Sequence, residues 1–331
     1  MIKIKNKIIG DGNKPFIIAE ISGNHNQSYS KMKKIVNAAS KAGVDAIKLQ
    51  TYTPDTLTLD VNNKDFYIKQ KGNPWKGQTL YELYKKAYTP WSWHKKIFDL
   101  AKKKKLIAFS SAFDETSVDF LEKLNVPAYK ISSFENNHFP LINKILSKKK
   151  PTLISLGATK LDDLKYLLKI IKRSKNKKVI LLKCSSIYPA PHKESNLINI
   201  RTLKKMTKLN IGFSDHTKGI TAPLIAISLG ACVIEKHFKL SNKDKTVDSD
   251  FSLDYLEMRK LVKEANKTWE LLGKKDFKLS KLEKNSTIFK RSIYISKNLK
   301  KNEKLNKFNM RIVRPGYSIS PKKLEYLIGK K

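Results

Sequence analysis

Eight short apolar runs recur along this chain, and each ends in polar or charged residues. The runs end near Glu20, Lys48 and Gln50, Ser110, Lys130 and Ser132, Ser155, Cys184, Ser214 and His216, and Glu235 and His237. Segments with helical periodicity lie between them. Eight buried strands that alternate with helices predict an α/β fold, a closed TIM (β/α)8 barrel. Catalytic residues of such a barrel lie at the C-terminal ends of its strands, so the runs also indicate a candidate active site.

The predicted strands and helices follow this periodicity. We expect strands at Phe16–Glu20, Asp45–Gln50, Leu106–Ser110, Ala128–Ser132, Thr152–Ser155, Val179–Cys184, Asn210–Ser214 and Ala231–His237. We expect helices at Ser30–Ala42, Trp91–Lys104, Ser117–Leu124, Leu161–Ile171, Thr221–Leu229 and Ser252–Gly273. Asp114 and Thr159 are predicted helix caps. The connection from Thr51 to Thr89 is unusually long, and we expect it to form a lid or wall of the site.

The length of 331 residues allows one barrel of roughly 250 residues and a small appendage. We place the barrel domain at 1–273, a Lys-rich linker at 274–285 and a small β-rich domain at 286–331. Residues 2–9 alternate Ile with Lys or Asn before a Gly-Asp-Gly turn, which predicts an N-terminal hairpin that plugs the barrel. The C-terminal segment is too short to bury an adequate core, so we expect it to pack on the barrel or a partner.

The formal net charge of +39 raises the question of nucleic acid. Of the 68 basic residues only six are Arg, whereas base-edge and bidentate phosphate contacts favour Arg. The Lys residues are spread along the chain, so we interpret the charge as a compositional bias and expect neither nucleic acid nor membrane as a partner. A basic surface can still steer anionic substrates towards a site.

The remaining composition indicates a cytoplasmic protein. Cys184 and Cys232 lie inside apolar runs, where free thiols are small buried apolar groups. The N-terminus lacks the continuous apolar stretch of a signal peptide, and no apolar run is long enough to span a membrane.

Two histidines follow neighbouring strands of the predicted barrel. His216 and His237, with Asp215 and Glu235 beside them, could bind a divalent metal and leave positions open for water and substrate. The alternative is that both imidazoles are hydrogen-bonded structural groups.

Lys48 and Lys130 lie in apolar runs, where an ammonium needs a carboxylate partner or an anionic ligand. Glu20 and Glu135 are the candidate partners, which would make two structural ion pairs. The other interpretation is a cradle for a phosphate and a carboxylate, to which serine hydroxyls on the same rim contribute. Phosphoenolpyruvate carries both anions.

Two further features accompany the rim. Glu135 could exchange a proton with water or a sugar carbonyl, although it could equally be a solvated loop residue. The run 22–26, Ser-Gly-Asn-His-Asn, could hydrogen-bond a polyhydroxylated substrate.

Six blocks in order resemble the sialic acid synthase family, whose members condense phosphoenolpyruvate with an amino sugar. The blocks are Ile18–Asn26, Lys48–Asp55, Lys130–Glu135, Ser185–Pro189, Ser214–Thr217 and Glu235–Phe238. The resemblance runs from about Phe16 to Gly329. It implies a metal-dependent barrel fused to a small antifreeze-like (SAF) domain, in a domain-swapped homodimer where that domain reaches the other subunit's active site.

The resemblance also implies roles for individual residues. Glu20, His216 and His237 belong to the metal and catalytic centre, and Glu135 acts on the water or the intermediate. The residues that hold phosphoenolpyruvate are Lys48, Ser110, Lys130, Ser132, Ser155, Ser186 and Ser214. The residues that line the sugar pocket are Gln50, Asn73, Tyr188, Asp248, Phe289 and, from the partner chain, Arg314. The implied cofactor is Mn²⁺, with Mg²⁺ or Co²⁺ as alternatives.

Within the family, the blocks 23–26, 51–55 and 89–94 resemble the branch whose sugar is 2,4-diacetamido-2,4,6-trideoxy-altrose. The rivals are a synthase that uses another amino sugar, as for N-acetylneuraminate or legionaminate, and a non-catalytic basic binding protein. An ice-binding role is disfavoured because residues 286–331 lack regular Thr arrays. The chain ends shortly after Gly329, where family members continue, so we expect the small domain to be incomplete.

Overall fold

The computed structural model describes residues 1–274 and 276–331, which form two compact units, Met1–Gly273 and Lys274–Lys331. The first unit contains the barrel, and the second contains a two-stranded sheet. Among the described residues no helix combines the length and the apolar character needed to cross a membrane.

The strands confirm the predicted fold class. They are β1 (Ile2–Ile4), β2 (Lys7–Ile9), β3 (Phe16–Glu20), β4 (Ala46–Thr51), β5 (Ile107–Ala112), β6 (Tyr129–Ile131), β7 (Thr152–Ser155), β8 (Val179–Cys184), β9 (Asn210–Asp215), β10 (Val233–His237), β11 (Ser292–Ile295) and β12 (Met310–Val313). Strands β3 to β10 form a closed barrel in which each strand runs parallel to its neighbours. The barrel closes between its first and last strands, where His237 lies in register with Glu20.

Among the described residues, the helices before Gly273 belong to the unit that contains the barrel, and the last two belong to the second unit. The helices are α1 (Tyr29–Ala42), α2 (Pro54–Leu57), α3 (Leu80–Ala87), α4 (Trp91–Lys103), α5 (Glu115–Lys123), α6 (Phe139–Ser147), α7 (Leu161–Ser174), α8 (Asn199–Thr207), α9 (Thr221–Ser228), α10 (Tyr255–Leu272), α11 (Lys281–Asn285) and α12 (Leu324–Leu327). The predicted cap Asp114 accepts a hydrogen bond from the Ser117 amide at 2.8 Å. The predicted cap Thr159 is wrong, because its hydroxyl donates to the Gly157 carbonyl and α7 starts after Lys160.

The buried side chains form two layers that follow from strand alternation. One cluster, which includes Ile18, Phe109 and Leu182, fills the barrel interior. Ile2, Ile4 and Ile9 of the antiparallel β1–β2 hairpin belong to the same cluster, so the hairpin plugs the barrel as predicted. The larger cluster joins the outer faces of the strands to the helices.

The second unit is small and contains one two-stranded sheet among its described residues. Strands β11 and β12 pair antiparallel, with Ser292 opposite Val313. Ile293 and Met310 are its buried apolar side chains among the described residues.

Candidate active site

A cavity of about 550 Å³ opens at the C-terminal ends of the barrel strands. Most of the predicted site residues line it. They are Glu20, Lys48, Gln50, Asn73, Lys130, Ser132, Glu135, Ser155, Ser186, Tyr188, Ser214, His216, His237 and Asp248. Because these residues come from all parts of the barrel rim, the cavity exists only when the barrel is closed.

Two buried lysines share two buried glutamates at the base of this cavity. Lys48 forms an ion pair with Glu20, and its ammonium lies 3.8 Å from Glu235 Oε1. Lys130 Nζ lies 3.7 Å from the same Glu235 oxygen. Gln50 Nε2 donates to Glu20 Oε1 at 3.2 Å. The prediction that Glu135 pairs with Lys130 is corrected here, since Glu235 takes that place.

The sharing of Glu235 leaves Lys130 with less negative charge around it than Lys48 has. Burial lowers the pKa of Lys130, and the charge of Glu235 opposes this only in part. Burial also acts to lower the pKa of Lys48, but Glu20 and Glu235 outweigh it and raise that pKa. Lys130 is therefore the position where an anionic ligand would supply the missing counter-charge.

Two hydroxyl groups without hydrogen-bond partners also line this cavity. Among the described residues, the buried Oγ atoms of Ser155 and Ser186 have no hydrogen-bond partner. Buried polar groups in folded proteins almost always have one, so both are candidates for ligand binding. Gly157 makes room for the Ser186 hydroxyl, because a Cβ at this position would lie 2.0 Å from Ser186 Oγ.

Ser110 does not reach the cavity, which corrects its predicted role. Its hydroxyl lies 2.6 Å from Thr51 Oγ1, on the face of β5 that packs against the helices. Its neighbour Ser111 points into the barrel, where its Oγ accepts a hydrogen bond from Lys48 Nζ at 2.9 Å. Adjacent residues of a strand face opposite sides, which explains why Ser111 and not Ser110 faces the barrel interior.

His216 and His237 lie side by side, with ring centroids 5.3 Å apart. His216 Nδ1–H donates to the Ser185 carbonyl at 2.9 Å, so its Nε2 carries the free lone pair. Among the described residues, His237 Nδ1 is buried and has no partner. Burial keeps the pKa of His237 well below its ordinary value, so this ring is neutral.

These two rings fit a divalent metal ion as a partial ligand set. Neutral imidazoles are good ligands for such ions. In the described part of the chain no group of three or more His, Cys, Asp or Glu side chains is arranged to hold a metal, so water and substrate would complete the coordination. Asp215, considered as a neighbouring ligand, is instead paired with buried Lys236 at 2.6 Å.

Glu135 and Glu20 are carboxyl groups that change charge near neutral pH. Burial raises the pKa of each to about 7, against the opposing effect of the nearby lysines. Within the described residues Glu135 Oε2 is buried without a partner. A carboxyl group that is poised in this way can donate and accept a proton at physiological pH.

The long connection after β4 forms one wall of the cavity, as predicted. Its Leu57, Ile68, Leu80, Leu83 and Ala87 side chains make this wall largely apolar. Trp75, on the same segment, donates its indole N–H to the Val247 carbonyl at 2.8 Å. That bond ties the wall to the loop that carries Asp248.

The run 22–26 is structural, except for Ser22, which lines the cavity. Asn24 Nδ2 donates to the Phe238 carbonyl and to Ser252 Oγ. His25 Nε2 lies 3.0 Å from Thr89 Oγ1. Both side chains are buried and neither lines the cavity, so the predicted contact of these two residues with a substrate is wrong. Asp248, by contrast, accepts a hydrogen bond from the Gly23 amide at 3.1 Å and lines the cavity.

Two predicted site residues belong to the second unit. Phe289 ends a short 3₁₀ helix and has 64% of its surface exposed. Arg314 follows β12 and precedes Pro315.

Sequence reasoning did not identify Ser111, Gly157 or Trp75 as site residues, or Glu235 as the partner of Lys130. Gly157 had a detectable signal, because a glycine two residues after the end of a buried strand indicates a close approach. No sequence signal identified the Trp75 indole, because the long connection has no periodicity that indicates which side chains face the cavity.

The chain is similar to known proteins along nearly its whole length. A family model described as the NeuB family matches residues 35–277. A pseudaminic acid synthase from Campylobacter jejuni is 42% identical over 318 residues, which cover 96% of this chain and 92% of that protein. An N,N'-diacetyllegionaminic acid synthase from Legionella pneumophila is 35% identical, covering 95% of this chain and 89% of that protein. The crystal structure of an N-acetylneuraminic acid synthetase from Leptospira borgpetersenii, in complex with citrate, superimposes with a TM-score of 0.77 at 28% identity, covering 86% and 94% of the two chains. This chain belongs to the NeuB family.

Proposed function

We propose that this protein condenses phosphoenolpyruvate with 2,4-diacetamido-2,4,6-trideoxy-altrose to give pseudaminic acid and phosphate. The observation that carries the proposal is the cavity itself, where two buried lysines, unpartnered hydroxyls and an imidazole pair face an apolar wall. The identity of 42% to a pseudaminic acid synthase across nearly the whole chain supports this sugar over others.

Phosphoenolpyruvate would bind at the bottom of the cavity, which is positively charged. Lys48 and Lys130 supply positive charge, and Ser132, Ser155, Ser186 and Ser214 supply hydroxyl donors for the phosphate and the carboxylate. Binding the anion next to Lys130 adds the counter-charge that Glu235 provides only in part. The held enol then has little freedom to rotate, which lowers the entropic part of the barrier.

The sugar end of the cavity is its upper part, where polar and apolar side chains meet. Gln50, Asn73, Tyr188 and Asp248 offer hydrogen bonds to hydroxyl and acetamido groups. The apolar side chains of the long connection suit methyl groups. A 6-deoxy sugar with two acetamido groups has three methyl groups, whereas N-acetylmannosamine has one, so the wall favours the former.

His216 and His237 would hold the divalent ion, and when bound it would act as a Lewis acid on the aldehyde of the open-chain sugar. Mn²⁺ is the proposed ion, with Mg²⁺ or Co²⁺ as alternatives. In the reaction, C3 of phosphoenolpyruvate forms a bond to the aldehyde carbon. The neutral carboxyl group of Glu135 gives its proton to the developing alkoxide oxygen.

Glu135 then acts as a base, because it has become a carboxylate. It takes a proton from the water that adds at C2 of the former enol. Phosphate leaves with cleavage of the C2–O bond and takes up the proton of the C2 hydroxyl, so a keto group remains at C2. The buried lysines stay paired with anionic groups throughout, so the negative charge on the leaving phosphate is stabilised as it develops.

The second unit fits the proposal as an antifreeze-like domain. We place Phe289 and Arg314 in the sugar site of the other subunit of a homodimer. Arg314 would offer a guanidinium to the sugar or to the carboxylate.

The test is an incubation of the purified chain with phosphoenolpyruvate, Mn²⁺ and each amino sugar separately. We expect phosphate release and a nine-carbon acid, identified by mass, with the altrose derivative. Chelation should abolish turnover, and added Mn²⁺ should restore it. Turnover with N-acetylmannosamine alone would overturn the sugar assignment, and activity that survives chelation would overturn the metal assignment.

The specific alternative is a legionaminate synthase, favoured by the 35% identity to the Legionella pneumophila enzyme. Its sugar would have the same apolar substituents but a different ring stereochemistry. The same incubation distinguishes the two, because each sugar is supplied alone. A non-catalytic basic binding protein would release no phosphate with any sugar.

A further inference from the structure

A second cavity, of about 630 Å³, lies on the flank of the barrel between α7 and α8. We refer to it as the flank cavity; its inner wall is the segment 183–187 at the end of β8. The proposed reaction takes place outside this cavity. Its outer walls are partly apolar, and Leu203 of α8 and Leu164 of α7 are buried there.

Lys183 is the distinctive side chain of the flank cavity. It is partly buried on the outer face of β8, where a barrel strand normally presents apolar side chains to the helices. Its ammonium donates to the Cys184 carbonyl at 2.9 Å and to Ser185 Oγ at 3.3 Å. Across residues 1–274 and 276–331, no carboxylate forms an ion pair with it.

The charge around the cavity favours an anion. Lys160 and Lys183 line it against a single carboxylate residue, Glu194. Glu194 is solvent-exposed, so its charge is well screened, whereas the Lys183 ammonium is partly withdrawn from water. Burial lowers the pKa of Lys183, which is the expected result for a lysine that lacks a counter-charge.

The flank cavity shares a wall with the catalytic cavity. Ser186 lines both cavities. The Ser185 hydroxyl accepts a hydrogen bond from the Lys183 ammonium. The Ser185 carbonyl accepts a hydrogen bond from His216 Nδ1 at 2.9 Å. A ligand that draws Lys183 away from Ser185 would therefore disturb the group that orients His216.

We propose that the flank cavity is a second binding site, for a small organic anion with an apolar group, and that its occupancy weakens phosphoenolpyruvate binding through Ser185 and Ser186. The anionic group pairs with Lys183, and the apolar group lies between α7 and α8. Coupling between the two sites is reciprocal, so saturating phosphoenolpyruvate weakens the second ligand by the same factor.

The test uses phenyl phosphate as the probe and benzyl alcohol as its neutral counterpart. Each is titrated calorimetrically into the full chain with excess phosphoenolpyruvate and no sugar, so that the catalytic cavity is filled and no turnover occurs. We expect one phenyl phosphate per chain and no saturable binding of benzyl alcohol. Equal binding of the two compounds would overturn the charge argument.

Three variants locate the site. Lys183→Met keeps the aliphatic stem but removes the ammonium, and we expect at least tenfold weaker binding of phenyl phosphate. Thr202→Trp places a large side chain in the cavity from the exposed surface of α8 and should also block binding, without touching Lys183. Lys169→Met, on the exposed face of α7, is the matched control and should bind like the parent chain. Unchanged binding in both cavity variants would overturn the site.

The coupling has its own measurement. Phenyl phosphate should raise the KM for phosphoenolpyruvate in the parent chain and in Lys169→Met, but not in Lys183→Met. Equal inhibition in all three would mean direct competition in the catalytic cavity and would overturn the coupling. The binding titration needs no turnover, so its result does not depend on which sugar the protein uses.

Discussion

The carboxyl group of Glu135 can change its charge close to physiological pH, since burial raises its pKa to about 7. The group is neutral below that pH and ionised above it. In the proposed reaction the neutral form gives the first proton, so the rate should fall as the pH rises above about 7. Glu135→Gln should lower kcat by roughly 10²–10⁴-fold and remove this limb of the pH profile.

The measurement is kcat/KM for the sugar across pH 6 to 9 in both proteins. The matched control is Glu115→Gln, which changes an exposed glutamate on α5 and should leave the profile intact. A limb that survives in Glu135→Gln would contradict the assignment and would point to Glu20, whose pKa is also about 7.

Ser111 and Ser110 form a natural pair for a second experiment at this scale. Ser111→Ala removes an acceptor from the Lys48 ammonium, so the KM for phosphoenolpyruvate should rise about tenfold, which corresponds to about 1.4 kcal/mol. Ser110→Ala removes a partner of Thr51 outside the cavity. It should reduce the free energy of unfolding by about 1 kcal/mol and leave KM unchanged. The reverse pattern would restore Ser110 as the substrate residue.

The exchange of these two serines shows where sequence reasoning reached its limit. The apolar runs placed the barrel strands within two residues of their observed ends. Both faces of a barrel strand are buried, however, so the run 107–112 has no polar face that identifies the interior. The carboxylate partner of Lys130 could not be predicted from the sequence either. Glu135 is close to Lys130 in sequence, whereas Glu235 is brought next to it only by the arrangement of the strands.

At the scale of elements, the connection between β4 and α4 is the part of the site that is least fixed by the barrel. Its attachment depends in part on the Trp75 indole, which donates to Val247 and also lies against Tyr188 and Phe251. The wall therefore depends on a side chain from a segment without regular periodicity. Its position could be predicted only as a long insertion, and its inward-facing side chains could not.

Trp75→Phe tests this attachment because it keeps an aromatic ring and removes the N–H donor. We expect the KM for the sugar to rise about fivefold, which corresponds to about 1 kcal/mol, with the KM for phosphoenolpyruvate unchanged. Trp93→Phe is the matched control, since this ring packs against His25 and Tyr29 away from the cavity. Equal effects of the two substitutions would rule out a specific role for the Trp75 hydrogen bond.

At the scale of the whole molecule, two buried histidines should make the fold sensitive to acid. Burial lowers the pKa of His25 and of His94 to about 4 each. The unfolded chain takes up these protons near pH 6.5 while the folded chain does not, so stability is lost as the pH falls from 6.5 to 4. The loss should approach about 3 kcal/mol per histidine.

The measurement is the urea midpoint of unfolding at pH 7 and at pH 4.5 for the parent chain and for His94→Gln. The variant should be less stable at pH 7, because His94 Nε2 bonds to Thr51 Oγ1 at 2.9 Å, but it should lose less stability on acidification. His138→Gln changes an exposed histidine and is the control. Parallel acid losses in all three proteins would exclude His94 as a cause.

The proposed dimer is tested by complementation. A chain with Arg314→Ala lacks the residue that would be donated, and a chain with Glu135→Gln lacks the barrel acid. Mixing them should restore part of the activity, up to about a quarter of the parent rate, because one mixed site in a random dimer contains both intact groups. No recovery, with the mixed dimer demonstrated by mass, would mean that Arg314 acts within its own chain or not at all.

The closure of the barrel between β3 and β10 also has a consequence during synthesis. Glu20 emerges from the ribosome early, but its register partner His237 emerges more than two hundred residues later. Until then Lys130 has been synthesised without its partner Glu235, and the cavity that would hold a ligand is not yet closed. Substrate binding therefore cannot stabilise the early stages of folding. Until the last strand forms, the growing polypeptide is stabilised by its apolar contacts alone.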